Sequence, residues 1–162
     1  VTRLLDMGMD PFNFADSLLA VVAQRLVRQL CRECKKTEPT SEDYIDELLR
    51  DYLRAFPSDL RPDAAAVRAE WEQTYGRDGR LIRCHAPGCS HCDNTGFRGR
   101  MGLHELMVNT PELRRLIQSH SRPEELQHEA MRHSHFRTLR QDGIQKVLTG
   151  VTSIDEVRAN CN

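Results

Sequence analysis

The sequence predicts a mainly α protein that carries a small β lobe built on cysteine knuckles. Three observations lead there: helix caps followed by apolar stripes recur along the chain, the stretch from Leu81 to Leu106 has no helical period, and two Cys-x-x-Cys pairs bracket the middle. At 162 residues with 39% hydrophobic content, the chain can bury the core of one ordinary domain or two small ones. Its 23 basic and 24 acidic side chains leave no global field for a polyanion, so binding nucleic acid would need a local patch. The longest apolar run, Leu18 to Ala23, is far short of the roughly 20 residues that span a bilayer, and no signal peptide is visible. The expected compartment is cytosolic. The chain enters directly from Val1-Thr2-Arg3 into an apolar pattern, which suggests a fragment of a longer polypeptide.

Asp10-Pro11 reads as a helix start, an N-cap followed by proline at the first helical position. Phe14, Leu18, Val22 and Leu26 then recur at helical spacing, predicting a helix to about Leu30, with Arg25 and Arg28 favouring the negative end of its dipole. Thr40 or Ser41 can cap a second helix whose rows Tyr44, Leu48, Tyr52 and Ile45, Leu49, Leu53 form a broad stripe, ended by Phe56-Pro57. A third helix runs from about Asp63 to Tyr75, offers Val67 and Trp71 to a core, and stops at Gly76. These two make a helical hairpin inserted between the cysteine pairs. Leu81 to Cys84 and Gly102 to Leu106 read as short strands on either side of a turn-rich knuckle. From Thr110 onward four helix starts follow: Thr110-Pro111, the capping box Ser121-x-x-Glu124, Thr138, and the capping box Ser153-x-x-Glu156. The predicted organisation is a segment 1–30 with its helix leading into a metal lobe 31–108, a helical insert 41–76 within that lobe, and a helical bundle 109–162.

Six cysteines stand at positions 31, 34, 84, 89, 92 and 161, and the informative pattern is Cys31-Arg-Glu-Cys34 with Cys89-Ser-His-Cys92. Two intervening residues let both sulfurs of one knuckle reach a single ion at about 2.3 Å, and two knuckles fill the four tetrahedral positions of a structural Zn2+. Cys31, Cys34, Cys89 and Cys92 are therefore the expected metal ligands. A cytosolic compartment disfavours disulfides, and a redox Cys-x-x-Cys needs only one pair. The 54 residues between the pairs exceed finger spacing, but closing a longer loop costs entropy only logarithmically. Cys84 and His85 are read as spare groups, and Cys161 as a free thiol at a frayed terminus.

Four sulfur ligands leave no open position for water, which argues against a catalytic metal. The zinc deaminase pattern needs a His-x-Glu that the sequence lacks. His128 and His133 are five residues apart, so they diverge around a helix and read as solvated side chains. His104-Glu105 has no second histidine at metal spacing and reads as packing or bonding locally. No G-x-x-x-x-G-K-[ST], G-x-G-x-x-G or G-x-S-x-G is present, so the expected catalytic residues number none. Arg98, Arg100, Arg114 and Arg115 form a local basic concentration, read as solvated surface or as an anion or subunit contact.

The ordered series carries a resemblance. Thr2-Arg3-Leu4-Leu5-Asp6-Met7-Gly8, the run Ala23 to Leu30 into Cys31-x-x-Cys34, Gly88-Cys89-x-x-Cys92, Thr95 to Leu106, and Gln141-Asp142-Gly143 through Gly150-x-Thr152-Ser153 to Glu156-Val157 resemble the C-terminal part of a type II secretion or type IV pilus assembly ATPase. The resemblance covers residues 1 to about 158 and is weakest in 37–83. It implies the end of a RecA-like P-loop ATPase core at 1–30, followed by a tetracysteine subdomain and a C-terminal helical bundle. It implies a hexameric motor, with itself and an inner-membrane platform protein as partners, in the cytoplasm against the bacterial inner membrane. ATP and Mg2+ would belong to the full-length parent only, whose phosphate-binding loop lies upstream, so this segment is expected to be inactive alone. Cys84 and the long insert depart from the commoner family spacing. The competing readings are a zinc-dependent nucleic-acid-binding module, motivated by Arg98 and Arg100 but opposed by the balanced charge, and a zinc chaperone module, whose regular motif repeat is absent.

Overall fold

A computed structural model describes residues 1–133 and 136–161; positions 134, 135 and 162 of the expected bundle lie outside the described residues. Helix α1 (Thr2–Asp6) is followed by α2 (Pro11–Ser17), where an Asp10 carboxylate oxygen accepts the Asn13 N–H at 2.8 Å, as the cap predicts. The expected helix does not continue to Leu30. Residues Ala20–Leu30 instead form strand β1, paired antiparallel with a long strand not foreseen at that length, β4 (Phe97–Val108). The pairing runs from Ala20 opposite Val108 to Arg28 opposite Arg100, then slips so that Leu30 meets Phe97. A spacing of four suits a helix, but it is also twice two, so Val22 and Leu26 share one face of a strand just as well. The β-branched Val21-Val22 pair favours the strand, and Arg25 and Arg28 consequently sit on a ribbon rather than at a helix end.

Strand β2 (Lys36–Pro39) pairs antiparallel with β3 (Ile82–His85), and the insert between them is the expected helical hairpin. In it, α3 (Glu42–Leu53) is capped by Ser41 and α4 (Ala64–Tyr75) by Asp63. The α3 stripe buries Ile45, Leu48 and Leu49, and Tyr52 meets Trp71 of α4 edge-on with ring centres 5.3 Å apart.

The C-terminal part holds α5 (Pro111–Gln118), α6 (Pro123–Met131), α7 (Leu139–Leu148) and α8 (Ile154–Asn160). Two caps differ from expectation. Helix α6 starts one residue later than the Ser121 box, because Pro123 takes the first helical position and the Arg122 N–H is accepted by Glu125 at 2.9 Å. Ser153 caps α8, but Glu156 turns away from it toward Arg28.

Among the described residues two apolar cores result. One lies beneath β1–β4, where Val27 and Leu103 meet Leu48, Trp71, Ile144 and Val157 from α3, α4, α7 and α8. The other joins Leu5 and Ala15 of α1 and α2 to Leu113, Ile117 and Leu126 of α5 and α6. Each such aliphatic side chain contributes about 1.5–3 kcal/mol over its exposed state. Cys161 belongs to the first core at 3% exposure, with its N–H on the Val157 carbonyl at 2.9 Å. That corrects the expectation of a frayed thiol: α8 carries the residue back under the ribbon.

Candidate metal centre

Cys31 follows the last residue of β1 and is fully buried, its N–H donating to the Gly96 carbonyl at 2.8 Å. That single bond lays one knuckle against the other. Cys34 lies in the next turn, half-buried. Cys89 and Cys92 flank the 3-10 turn Ser90–Cys92, after which Asp93 and Asn94 take left-handed backbone conformations at φ 52° and 59°. Gly88 (φ 106°) and Gly96 (φ 75°) complete the fold-back: a Cβ would stand 2.6 Å from the Asn94 carbonyl oxygen at the first and 2.3 Å from the Ala86 oxygen at the second. Only glycine fits such approaches.

The four sulfurs of Cys31, Cys34, Cys89 and Cys92 lie within 4.8 Å of one another. Three of the separations are 3.8 Å (Cys89 to Cys92), 3.9 Å (Cys31 to Cys89) and 4.0 Å (Cys34 to Cys92). A disulfide needs about 2.05 Å. A tetrahedron of thiolates around an ion at about 2.3 Å has edges of about 3.8 Å. The cluster is thus the right size for one tetrahedral ion, and four sulfur donors suit zinc or an iron centre.

Backbone donors prepare the site for charge. Cys92 Sγ accepts the N–H groups of Cys89 and Gly96, each at 3.3 Å. Burial opposes its thiolate, but these bonds outweigh it and bring the thiol down to about 6. Cys34 moves the other way, pushed up to about 12 by burial first and then by the neighbouring sulfurs. The N–H bonds to Cys92 Sγ favour a charged sulfur there, which is what a cation ligand needs.

The knuckles are tied to the C-terminal helices through the α7–α8 turn. The Leu30 N–H donates to Val151 at 2.9 Å, Lys35 Nζ to the Gly150 carbonyl at 3.0 Å, and Thr152 Oγ1 to the Arg28 carbonyl at 2.8 Å. Glu156 accepts the Arg28 N–H at 3.0 Å and its guanidinium at 2.9 and 2.5 Å, and that guanidinium lies 4.3 Å over the Phe97 ring. Gly150, at φ 71°, leaves room for Cys84, whose Sγ would stand 2.5 Å from a Cβ there.

Sequence reasoning missed this clasp. The sequence pattern places Glu156 in its own helix cap and Arg28 at a helix end; the signal available is an acidic N3 residue with a second possible partner. Cys84 lies outside the four-sulfur group. His91 is exposed, and its carbonyl accepts from Arg98. Arg100 faces solvent and Arg114 makes a loose surface pair with Asp16 at 3.8 Å. His128 Nε2 hydrogen-bonds Asp59 at 2.8 Å, and His133 Nε2 lies 3.8 Å from Glu129, too far for a hydrogen bond. Glu105 caps α7 instead of acting near His104, accepting the Leu139 N–H at 3.1 Å.

Comparison with known proteins decides the family. A model described as type II/IV secretion system protein matches residues 1–159. The chain belongs to that family. It is 40% identical over 157 residues to the type II secretion system protein E of Aeromonas hydrophila, covering 97% of this chain and 26% of that protein. It is 38% identical over 157 residues to the type IV pilus assembly ATPase TfpB of Acinetobacter baylyi, covering 97% of this chain and 23% of that one. With the pilus assembly ATPase PilB of Thermus thermophilus it shares 32% over 160 residues, 98% of this chain and 15% of the relative. The chain therefore spans about a quarter or less of the length of these relatives. No helix among the described residues is long and apolar enough to cross a membrane.

Proposed function

We propose that this segment is the zinc-stabilised C-terminal region of a hexameric, ATP-driven secretion or pilus assembly motor. The observation that carries the reading is the four-sulfur cluster of Cys31, Cys34, Cys89 and Cys92 at the junction between a β ribbon and the α7–α8 turn. Zn2+ is the ion the site takes, because it prefers four thiolates in a closed tetrahedron and brings no redox chemistry. Its role is mechanical: it fixes the end of β1 and the start of β4 to a turn that Gly150, Val151 and Thr152 already hold, in a lobe with little apolar core of its own. Residues 1–30 are the end of a RecA-like core in this reading. Support comes from the outer face of β1–β4, where Val22, Leu26, Leu106 and Val108 are 44–61% exposed, a face that the remaining polypeptide of an ATPase would cover. ATP and Mg2+ bind that remaining part, in the cytoplasm beside an inner-membrane platform protein, and this segment alone hydrolyses nothing.

Two measurements test the reading. Stripping the metal with a chelator is expected to release one zinc per chain and to expose the amides of the knuckles to exchange while α5 and α6 stay protected. Incubation with Mg-ATP is expected to release no phosphate. A chain that keeps its melting temperature without metal, or that hydrolyses ATP by itself, overturns it.

A further inference from the structure

Charge is nearly balanced over the whole chain, at −1, yet it is sharply divided between two neighbouring parts. Residues 25–36 and 77–101, which build the knuckles, β3, and the adjoining end of the ribbon, hold ten arginines and lysines against Glu33, Asp78 and Asp93, a formal +7. All ten basic side chains are on exposed residues. Among the described residues only two of them meet a carboxylate, Arg28 with Glu156 and Arg83 with Glu38. The insert, residues 41–76, holds nine carboxylates against four arginines, a formal −5. Asp43, Asp46, Asp63 and Glu70 face solvent on its two helices or their caps.

The two parts do not neutralise each other within a chain. Described partners of the insert carboxylates are Arg68 of the insert itself, Arg140 and Arg158 of the C-terminal helices, and His128. None of them is one of the ten. On the zinc reading above, four thiolates around Zn2+ bring −2, so the lobe presents +5 to an insert of −5.

We infer that the basic knuckle lobe of one copy docks the acidic α3–α4 hairpin of a second copy. Charge complementarity selects the occupant. A polyanion large enough to cover the lobe, such as a duplex or an anionic bilayer, would also meet the adjacent −5 hairpin and be repelled. A second copy brings that hairpin as its contribution, in equal number to the lobes that need it. Such a contact joins different surfaces on the two partners, so it is head-to-tail and propagates to a third copy. It needs no apolar patch, and it leaves the open face of β1–β4 free for another use.

The test is sedimentation of the chain, purified without chelator, over a concentration series at low and high salt. Association is expected at low ionic strength and is expected to weaken about tenfold or more when the Debye length shrinks from roughly 15 Å to about 4 Å. Two charge-reversed variants decide the surfaces: Asp43→Lys/Asp46→Lys/Glu70→Lys in the hairpin, and Arg32→Glu/Lys36→Glu/Arg100→Glu in the lobe. Each alone should remain monomeric, and an equimolar mixture of the two should associate as the unmodified chain does. If one variant misfolds, judged by metal content and circular dichroism, the salt series on the unmodified chain still decides. A chain monomeric at every concentration, association indifferent to salt, or variants that fail to rescue one another overturn the proposal. So does a monomeric chain whose lobe binds phosphatidylglycerol vesicles or duplex DNA, since the lobe's partner is then a polyanion.

Discussion

Different forces hold the knuckle lobe and the α1–α2–α5–α6 core. The helical core buries Leu5, Ala15, Leu113, Ile117, Leu126 and Ala130, enough apolar surface to be stable whatever ion is present. In the lobe, between Cys31 and Lys36 and between Ile82 and Phe97, the fully buried residues are Cys31, Cys92 and Gly96. A region with that little core needs a cross-link to be ordered. A metal bound there should therefore matter locally, and its removal should divide the molecule along the clasp at Gly150–Thr152.

The most severe way to break the comparison is Cys92→Ser. It removes one of four thiolates and the acceptor of two N–H bonds, in a site class where zinc binding is worth about 10–16 kcal/mol at neutral pH. The expected outcome is a metal-free chain in which amides 31–36 and 84–97 exchange freely, while those of α5 and α6 keep their protection. Ile117→Ala attacks the other side, leaving a cavity at a site 1% exposed. It should cost about 2–5 kcal/mol and lower the melting temperature, with zinc content by native mass spectrometry unchanged.

Smaller changes probe the clasp between the two. Gly150→Ala places a Cβ 2.5 Å from Cys84 Sγ at φ 71°, and the backbone conformation alone costs about 1–2 kcal/mol. Adding Cys84→Ala should recover the steric part and leave zinc content untouched, since Cys84 is not in the cluster. Glu156→Gln should cost about 1 kcal/mol, the smallest effect here, because Arg28 is 54% exposed and partly solvated. The Arg28 hydrogen bonds hold the Glu156 carboxyl below its ordinary value. Its contribution is therefore present above the unfolded pKa of about 4.3 and lost as pH falls through the lower folded value. Denaturant melts of the Gln variant should lack that acid limb.

How much of this could be read in advance depended on whether the signal was local. Ser41, Asp63, Thr110, Thr138 and Ser153 cap helices where the sequence places caps, because a cap is decided by residues three apart. Each cysteine pair is likewise a local signal, and the structure brings the two pairs into one four-sulfur cluster. β1 was not legible, because the four-residue spacing that runs from Phe14 of α2 through its C-cap Leu18 continues as Val22 and Leu26, which satisfy a helix and a strand alike, and pairing with β4 about 80 residues later in the chain settles the matter. Of that stripe, Phe14 and Leu18 pack against the helical core, whereas Val22 and Leu26 lie on the exposed side of the ribbon at 61% and 51%. Glu156, Arg28 and Gly150 acquire their roles only when α8 returns to the end of β1, which no window of sequence contains.

Whether Cys31, Cys34, Cys89 and Cys92 enclose one zinc ion is decided by X-ray absorption at the zinc K-edge on the chain as purified. Stoichiometric zinc with four sulfur neighbours at about 2.3 Å is expected. An absent zinc edge, an iron edge in its place, or a shell containing nitrogen or oxygen rules the zinc site out.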